Sequence, residues 1–175
     1  MSDEAQSIRF EETVLPHLHA AYNLARWLVK NGTDAEDLVQ EAYLRAWRGF
    51  AGFRGTDGRG WLLTIVRNTC YTWLHENRRQ EMAVEFDEDL HTRDHEVAEP
   101  ERLLLENANR QTLEKALQEL PAEFREAIVL RELEGLSYKE IGDITRVPIG
   151  TVMSRLARAR ARLQLCLAPR VPKEV

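Results

Sequence analysis

Residues 137–163 read SYKEIGDITRVPIGTVMSRLARARARL, and this stretch decides the fold. Ser137 and Glu140 stand at the capping-box spacing, in which a hydroxyl and a carboxylate satisfy orphan N–H groups at a helix start. The short helix they open turns Ile141 and Ile144 inward. Thr145-Arg146-Val147 supplies a turn. Pro148 suits the start of a second helix, because its φ is already near the helical value and a first-turn N–H would have no partner anyway. In that second helix Ile149, Val152, Leu156, Ala159 and Leu163 recur at steps of three and four, which places them on one apolar face. A capped short helix, a tight turn and a longer basic helix together predict a helix-turn-helix.

The apolar stripe decides what points outward. Met153, Ser154, Ala157, Arg158 and Arg162 lie away from it, with Arg155 and Arg160 at its flanks. Small residues such as Ser154 and Ala157 let a helix enter a major groove, and arginine can fork onto guanine edges or phosphates. The first half of a recognition helix reads bases. Base-facing roles therefore fall to Met153, Ser154, Ala157 and Arg158. Arg155, Arg160 and Arg162 become phosphate contacts, with Thr151 as a further backbone contact. The plainer alternative is a solvated arginine-rich helix.

Charge distribution favours the nucleic-acid reading. The net charge of −5 looks wrong for a DNA binder. Residues 80–101, QEMAVEFDEDLHTRDHEVAEPE, hold nine acids against one arginine, so this segment alone carries −8 and the rest of the chain +3. Residues 146–170 hold six arginines and no acid. A local basic stripe matters more to binding than the global balance. The acidic segment has few large apolar residues and no sustained period, which marks it as a linker. Composition leaves open whether it is a solvated spacer or an acidic strand that occupies a basic groove on a partner.

Upstream of the linker the chain reads as three or four helices. Residues 8–30 carry Ile8, Val14, Leu15, Leu18, Ala21, Tyr22, Ala25 and Leu28, with Gly32 as the stop. Thr33 and Glu36 form another capping-box pair. They open a helix with Leu38, Val39, Ala42, Tyr43, Ala46, Trp47 and Phe50 on a broad apolar stripe. Residues 51–60, AGFRGTDGRG, hold four glycines and read as a loop. A helix from Trp61 to about Arg79 follows. It mixes Trp61, Tyr71 and Trp73 with Arg67, Arg78 and Arg79, and sets Asn68 and Thr72 one turn apart. Aromatics stack unpaired bases and arginines hold the backbone, and the preceding loop with Phe53 and Arg54 could pocket a base taken out of the stack. The bland alternative makes Trp61 and Trp73 core. Downstream, residues 101–120 and 122–134 read as helices broken at Pro121, the second ending at Gly135. No strand-like alternation appears. The expected fold class is all-α: two small helical domains, 1–79 and 102–168, joined by the acidic linker 80–101, with a tail at 169–175.

Other classes find little support. Cys70 and Cys166 form no CxxC pair, so a disulfide framework or cysteine zinc site is not expected. His91 and His95 lie four apart in a segment without helical pattern. GxxxxGK[ST], HExxH and GxSxG patterns are absent, so no enzyme, metal site or cofactor is expected. The opening residues MSDEAQSIRF show no basic-then-apolar signal, and no apolar run approaches ~18 residues, so the expectation is a cytoplasmic protein without a membrane span. A stand-alone helix-turn-helix regulator remains the main rival; it explains the C-terminal domain but leaves the aromatic–arginine helix without a task.

The motifs taken in order resemble a known family. Asp37-Leu38-Val39-Gln40-Glu41-Ala42-Tyr43, then Phe53-Arg54-Gly55, then Trp61-Leu62 with Asn68, is similar to domain two of a bacterial sigma factor. Leu120-Pro121, Leu130-Arg131-Glu132-Leu133-Glu134-Gly135-Leu136-Ser137-Tyr138-Lys139-Glu140-Ile141, and Gly150-Thr151-Val152 with Ser154-Arg155-Leu156, Arg158-Ala159-Arg160, resemble domain four. The short chain with a direct linker resembles the extracytoplasmic function (ECF) group of alternative sigma factors, over residues 8–165. The resemblance implies that the Asp37–Trp47 helix docks on core RNA polymerase through Asp37, Leu38, Gln40, Glu41 and Tyr43. It implies that Phe53, Arg54, Trp61, Arg67, Asn68, Thr72, Arg78 and Arg79 meet the minus-ten element as its non-template strand opens. Domain four would read the minus-thirty-five duplex of promoter DNA and touch the polymerase flap, and the acidic linker would pass through the polymerase channel region. It further implies transcription initiation in a stress or envelope response, held in check by an anti-sigma factor.

Overall fold

The structure is a computed structural model and describes residues 2–83 and 103–168. All the regular elements among the described residues are helical, in two units. The N-terminal unit comprises α1 (Asp3–Val14), α2 (Leu18–Val29), α3 (Gly32–Gly49) and α4 (Gly58–Ala83). The C-terminal unit comprises α5 (Leu103–Glu119), α6 (Ala122–Ile128), α7 (Tyr138–Thr145) and α8 (Ile149–Leu167). The linker expected at 80–101 lies largely outside the described residues, as do His91 and His95.

Four local expectations are corrected. The single helix expected over 8–30 is broken: α1 stops at Val14 and a 3₁₀ turn, Leu15–His17, intervenes before α2. Pro16 sits in that turn, where it lacks the N–H a continuous helix needs and its ring crowds the preceding turn. The stop before α3 is Lys30 in the left-handed region (φ 62°), not Gly32. The cap of α3 is Asn31 rather than Thr33: its side-chain oxygen accepts from the N–H groups of Thr33 (2.9 Å) and Asp34 (3.1 Å). Asn caps as well as Thr, and it is the first extended residue after Lys30, so the helix starts there. The loop expected over 51–60 is shorter. A 3₁₀ turn spans Phe50–Gly52 and α4 begins at Gly58, with Asp57 Oδ1 accepting from the Gly60 N–H at 2.9 Å.

The C-terminal unit follows its sequence closely except at Ile149, expected on the inward face of α8 but exposed at its first turn, before the buried Val152, Leu156 and Ala159. Ser137 and Glu140 form the reciprocal capping box of α7, at 2.7 Å and 3.1 Å. Arg146 turns the chain in the left-handed region and Pro148 caps α8. α6 continues into a π-helical turn, Val129–Leu133, and Gly135 leaves it at φ +67°, a conformation in which a side chain is strained.

Buried residues of the two units form one continuous apolar cluster. Phe10, Leu24, Leu28, Phe50, Leu62 and Leu63 anchor the N-terminal part, and Leu130, Ile141, Ile144 and Leu156 the C-terminal part. Each such side chain contributes about 1.5–3 kcal/mol when removed from water. The units meet directly: α2 packs against α6, and α4 against α7.

Candidate nucleic-acid interface

α8 lies against α5, α6 and α7 through Val152, Leu156 and Ala159. Its opposite face is open. Met153, Ser154, Ala157, Arg158, Arg160 and Arg162 are exposed, and Thr151 and Arg155 are half-buried. The Ser154 hydroxyl donates to the Thr151 carbonyl at 3.0 Å, which turns it along the helix. Two arginines are engaged: Arg160 pairs with Glu132 at 2.8 Å, and Arg162 lies over the Phe124 ring. Arg158 is exposed on the outer face, one turn from Ser154 on one side and Arg162 on the other. Ile149 and Met153, one turn apart, add exposed apolar surface at the start of the helix.

On α4 the structure separates the residues that the sequence grouped. Phe53 is buried, and Trp61 packs on it with ring centroids 4.7 Å apart. Both join Phe50 and Phe10 in an aromatic core, closed by Arg9, which donates to the Phe53 carbonyl at 3.3 Å. Phe53 and the half-buried Trp61 therefore pack on one another in this arrangement. Asn68, Thr72, Arg78 and Arg79 are exposed, as is Arg54 in the loop. Thr72 Oγ1 donates to the Asn68 carbonyl at 2.9 Å, which fixes the pair one turn apart.

Arg67 points elsewhere. Its Nε donates to Glu126 Oε1 at 2.6 Å, and its guanidinium stacks over Tyr71. Glu126 is fully buried. Burial pushes its carboxyl above the usual range, and Arg67 opposes that push. The Tyr71 hydroxyl is pushed up as well, by burial first and then by the Glu126 carboxylate. Its oxygen and Glu126 Oε2 are both buried, with the hydroxyl facing the Glu126 carboxylate. Beside them Arg125 is also buried, and it donates to the carbonyls of Leu120 (2.8 Å), Gln118 (3.1 Å) and Leu28 (3.3 Å). At the other end of the contact Asn23 donates to Glu134 at 3.1 Å, and Arg59 donates to the Glu134 carbonyl. Sequence periodicity assigned none of these bridging roles, because Arg125 and Glu126 bury against a separate domain.

The expected polymerase-facing residues also divide. Asp37, Gln40 and Glu41 are exposed on α3, together with Leu44 and Trp47. Leu38 is core. Tyr43 is half-buried, its hydroxyl donates to the Val14 carbonyl at 3.1 Å, and burial pushes its pKa up to about 12. Among the described residues no helix is long and apolar enough to cross a membrane.

Two helical units, the second a helix-turn-helix, match families of known proteins in the same order. Residues 13–80 match Sigma-70 region 2 and residues 110–163 match Sigma-70, region 4. The chain belongs to the sigma-70 family of RNA polymerase sigma factors, in its ECF branch. It is 34% identical to the RNA polymerase sigma-H factor of Pseudomonas aeruginosa, over 91% of this chain and 86% of that protein. It is 35% identical to the ECF RNA polymerase sigma-E factor of Escherichia coli K12, over 91% and 87%. Among solved structures it is similar to the sigma factor RpoE of Bartonella quintana in complex with the anti-sigma factor NepR, with TM-score 0.72, 32% identity, and coverage of 93% of this chain and 99% of that one. CnrH in complex with the cytosolic domain of CnrY gives TM-score 0.62 at 25% identity, over 93% and 89%.

Proposed function

We propose that this alternative sigma factor acts through three surfaces: α3 for core polymerase, α4 for the opened minus-ten strand, and α8 for the minus-thirty-five duplex. The observation that carries this reading is the pair of exposed stripes on separate domains, the polar Asn68 with Thr72 on α4 and the mixed Met153, Ser154, Ala157 and Arg158 on α8. Asp37, Gln40 and Glu41 form the polar edge of the α3 surface, and Leu44 and Trp47 give it an apolar centre. Arg54, Arg78 and Arg79 hold backbone phosphates near the opened strand, and Arg67 joins them once freed from Glu126. Arg155, Arg160 and Arg162 hold phosphates of the upstream duplex, with Thr151 beside them. The chain works in the cytoplasm, where polymerase and promoters are, and an anti-sigma factor restrains it in a stress or envelope response; the solved complexes of two relatives support that restraint.

The mechanism involves no covalent change. The factor binds the open promoter better than the closed one and shifts the equilibrium by that difference. Unstacking a base costs a few kcal/mol, and stacking or pocket contacts return about 1–3 kcal/mol per base. Duplex binding by α8 falls steeply with salt, with a slope of about −0.9 per phosphate neutralised. Tethering both domains to one polymerase raises the effective concentration of each for its element.

The test is co-elution of the purified chain with bacterial core polymerase on a sizing column, followed by addition of a fork-junction promoter fragment. Stoichiometric co-elution and capture of the fragment support the reading. Polymerase-independent binding to duplex DNA, without co-elution, would replace it with a stand-alone regulator.

A further inference from the structure

We propose that Ile149, Met153 and Ala157 form a methyl-reading edge on α8, which selects thymine at the base pairs it crosses in the upstream promoter duplex. The proposal rests on the reading above that α8 enters that duplex.

Helical geometry sets the edge. Successive residues turn by about 100°, and Val152, Leu156 and Ala159 mark the buried side of α8. Two rows of different chemistry then flank the outer face. Ile149, Met153 and Ala157 recur at steps of four along one flank. Thr151, Arg155, Arg158 and Arg162 recur at steps of four, three and four along the other. Between the rows lie Gly150, Ser154 and Ala161, so the ridge of the helix is low. The Ser154 hydroxyl is turned back onto the Thr151 carbonyl. Nor does the fold require glycine at 150, since a Cβ there would meet nothing within 4 Å. A ridge this low lets base edges approach both rows.

The first row is apolar and open to water. Ile149 is 47% exposed and Met153 is 52% exposed. Such side chains gain free energy from an apolar partner. In a major groove one base supplies it: thymine, through its C5-methyl group. Guanine and adenine present the N7 acceptor there, and cytosine an amino donor. Ile149 and Ala157 offer these groups nothing, and Met153 only a weak thioether acceptor. A polar base edge pressed against the row therefore loses water without gaining a good hydrogen bond. Met153 is unbranched with three rotatable bonds, so it can follow a methyl group to its position. Residues 149–157 also form the first half of α8, the half of a recognition helix that reads bases. The arginine row on the same helix draws a phosphate backbone, which brings the apolar row to DNA and not to an apolar protein surface.

The test uses the chain assembled with core polymerase. Promoter fragments that this holoenzyme binds are selected from a pool with a randomised upstream duplex. Each thymidine of the selected upstream element is then replaced by deoxyuridine, which removes the C5-methyl and keeps every hydrogen-bonding group. The parent holoenzyme should bind at least one such fragment about fourfold more weakly, as expected for one buried carbon. The double variant Ile149→Ala, Met153→Ala should bind the thymidine and deoxyuridine fragments alike at that position. Both side chains are exposed, so the truncations leave no cavity in the core. A selected element without thymine, no deoxyuridine effect in the parent, or an effect that survives in the double variant overturns the methyl-reading edge. Weaker co-elution of the double variant with core polymerase, with no deoxyuridine effect in the parent, overturns it in favour of a protein contact. Footprinting of the parent holoenzyme separates the underlying reading. An unprotected upstream duplex overturns the entry of α8 into the groove, whereas protection without a deoxyuridine effect overturns the edge alone.

Discussion

Arg125 of α6 donates to the carbonyl of Leu28 at the end of α2, at 3.3 Å and 97 residues away in sequence, while its other nitrogen closes the end of α5 at Leu120. One planar guanidinium thus satisfies carbonyls at two helix C-termini, where the helix dipole also favours a cation. Replacing it by methionine should destabilise the chain by about 2–4 kcal/mol, since buried carbonyls lose charged donors. Lysine should not rescue, because a point cation lacks the fork that reaches three acceptors. Urea denaturation of both variants checks this; a rescue by lysine would show that charge alone matters.

Two glycines at the loop before α4 should respond oppositely to alanine. A Cβ on Gly58 would overlap the carbonyl oxygen of Thr13 in α1, which is backbone and cannot swing aside. Gly58→Ala should therefore cost about 1–3 kcal/mol. A Cβ on Gly52 meets nothing within 4 Å, and Gly52→Ala should be neutral or stabilise by up to about 1 kcal/mol. Thermal melts of the two variants separate the outcomes.

The two thiols should differ in reactivity. Cys70 is buried, and burial together with Glu126 pushes its pKa up to about 12. Thiolate is the reactive form. Titration with a thiol reagent at pH 8 should consume one thiol quickly, Cys166, and the second only after denaturant is added. Rapid reaction of both would show that the helices around Cys70 open readily.

Acid should weaken the start of α7. Hydrogen bonding from the Ser137 N–H, first among its causes, holds the Glu140 carboxyl below its usual range. A carboxylate with a depressed folded value contributes stability present above the ordinary glutamate pKa and lost as pH falls through the depressed one. Glu140 is highly exposed, so solvent screening keeps this contribution to a few tenths of a kcal/mol. Ser137→Ala should cost about 1 kcal/mol at neutral pH. The difference between Glu140→Gln and the parent should shrink below pH 4; a constant difference would remove the ionised carboxylate from the cap.

DNA-facing residues should divide by step. Arg158→Ala should weaken binding to the upstream duplex by about 1–3 kcal/mol if it reads a base, with relaxed specificity at that position. A uniform loss with the salt slope reduced by about one would make it a phosphate contact instead. Asn68→Ala should impair promoter opening more than closed-complex formation, measured by permanganate reactivity against filter binding. Equal effects would remove its assigned role.

Much of this protein is local and therefore readable. Ser137, Glu140, Pro148 and the three–four spacing from Ile149 to Leu163 act within one or two turns, where hydrogen bonds and side-chain periodicity depend only on near neighbours. They determine the helix-turn-helix, its outer face and, with the N-terminal motifs, the family. Competing local signals were harder to rank: Asn31 and Thr33 can both cap, and only the left-handed turn at Lys30 selects the first.

What tertiary structure alone decides is which stripe of a helix meets another domain. α4 carries Arg67 and Asn68 side by side, and nothing in their spacing says that one pairs with Glu126 while the other faces solvent. Phe53 and Trp61 suit base stacking as well as a core, and Phe50 and Phe10 claim them for the core. Arg125 and Glu126 are consecutive charges on a short helix, yet both are buried by segments far away in the chain. Burial of a charge depends on partners brought together from distant sequence, so composition and period determine the elements, and packing between them decides which charges are spent on the protein itself.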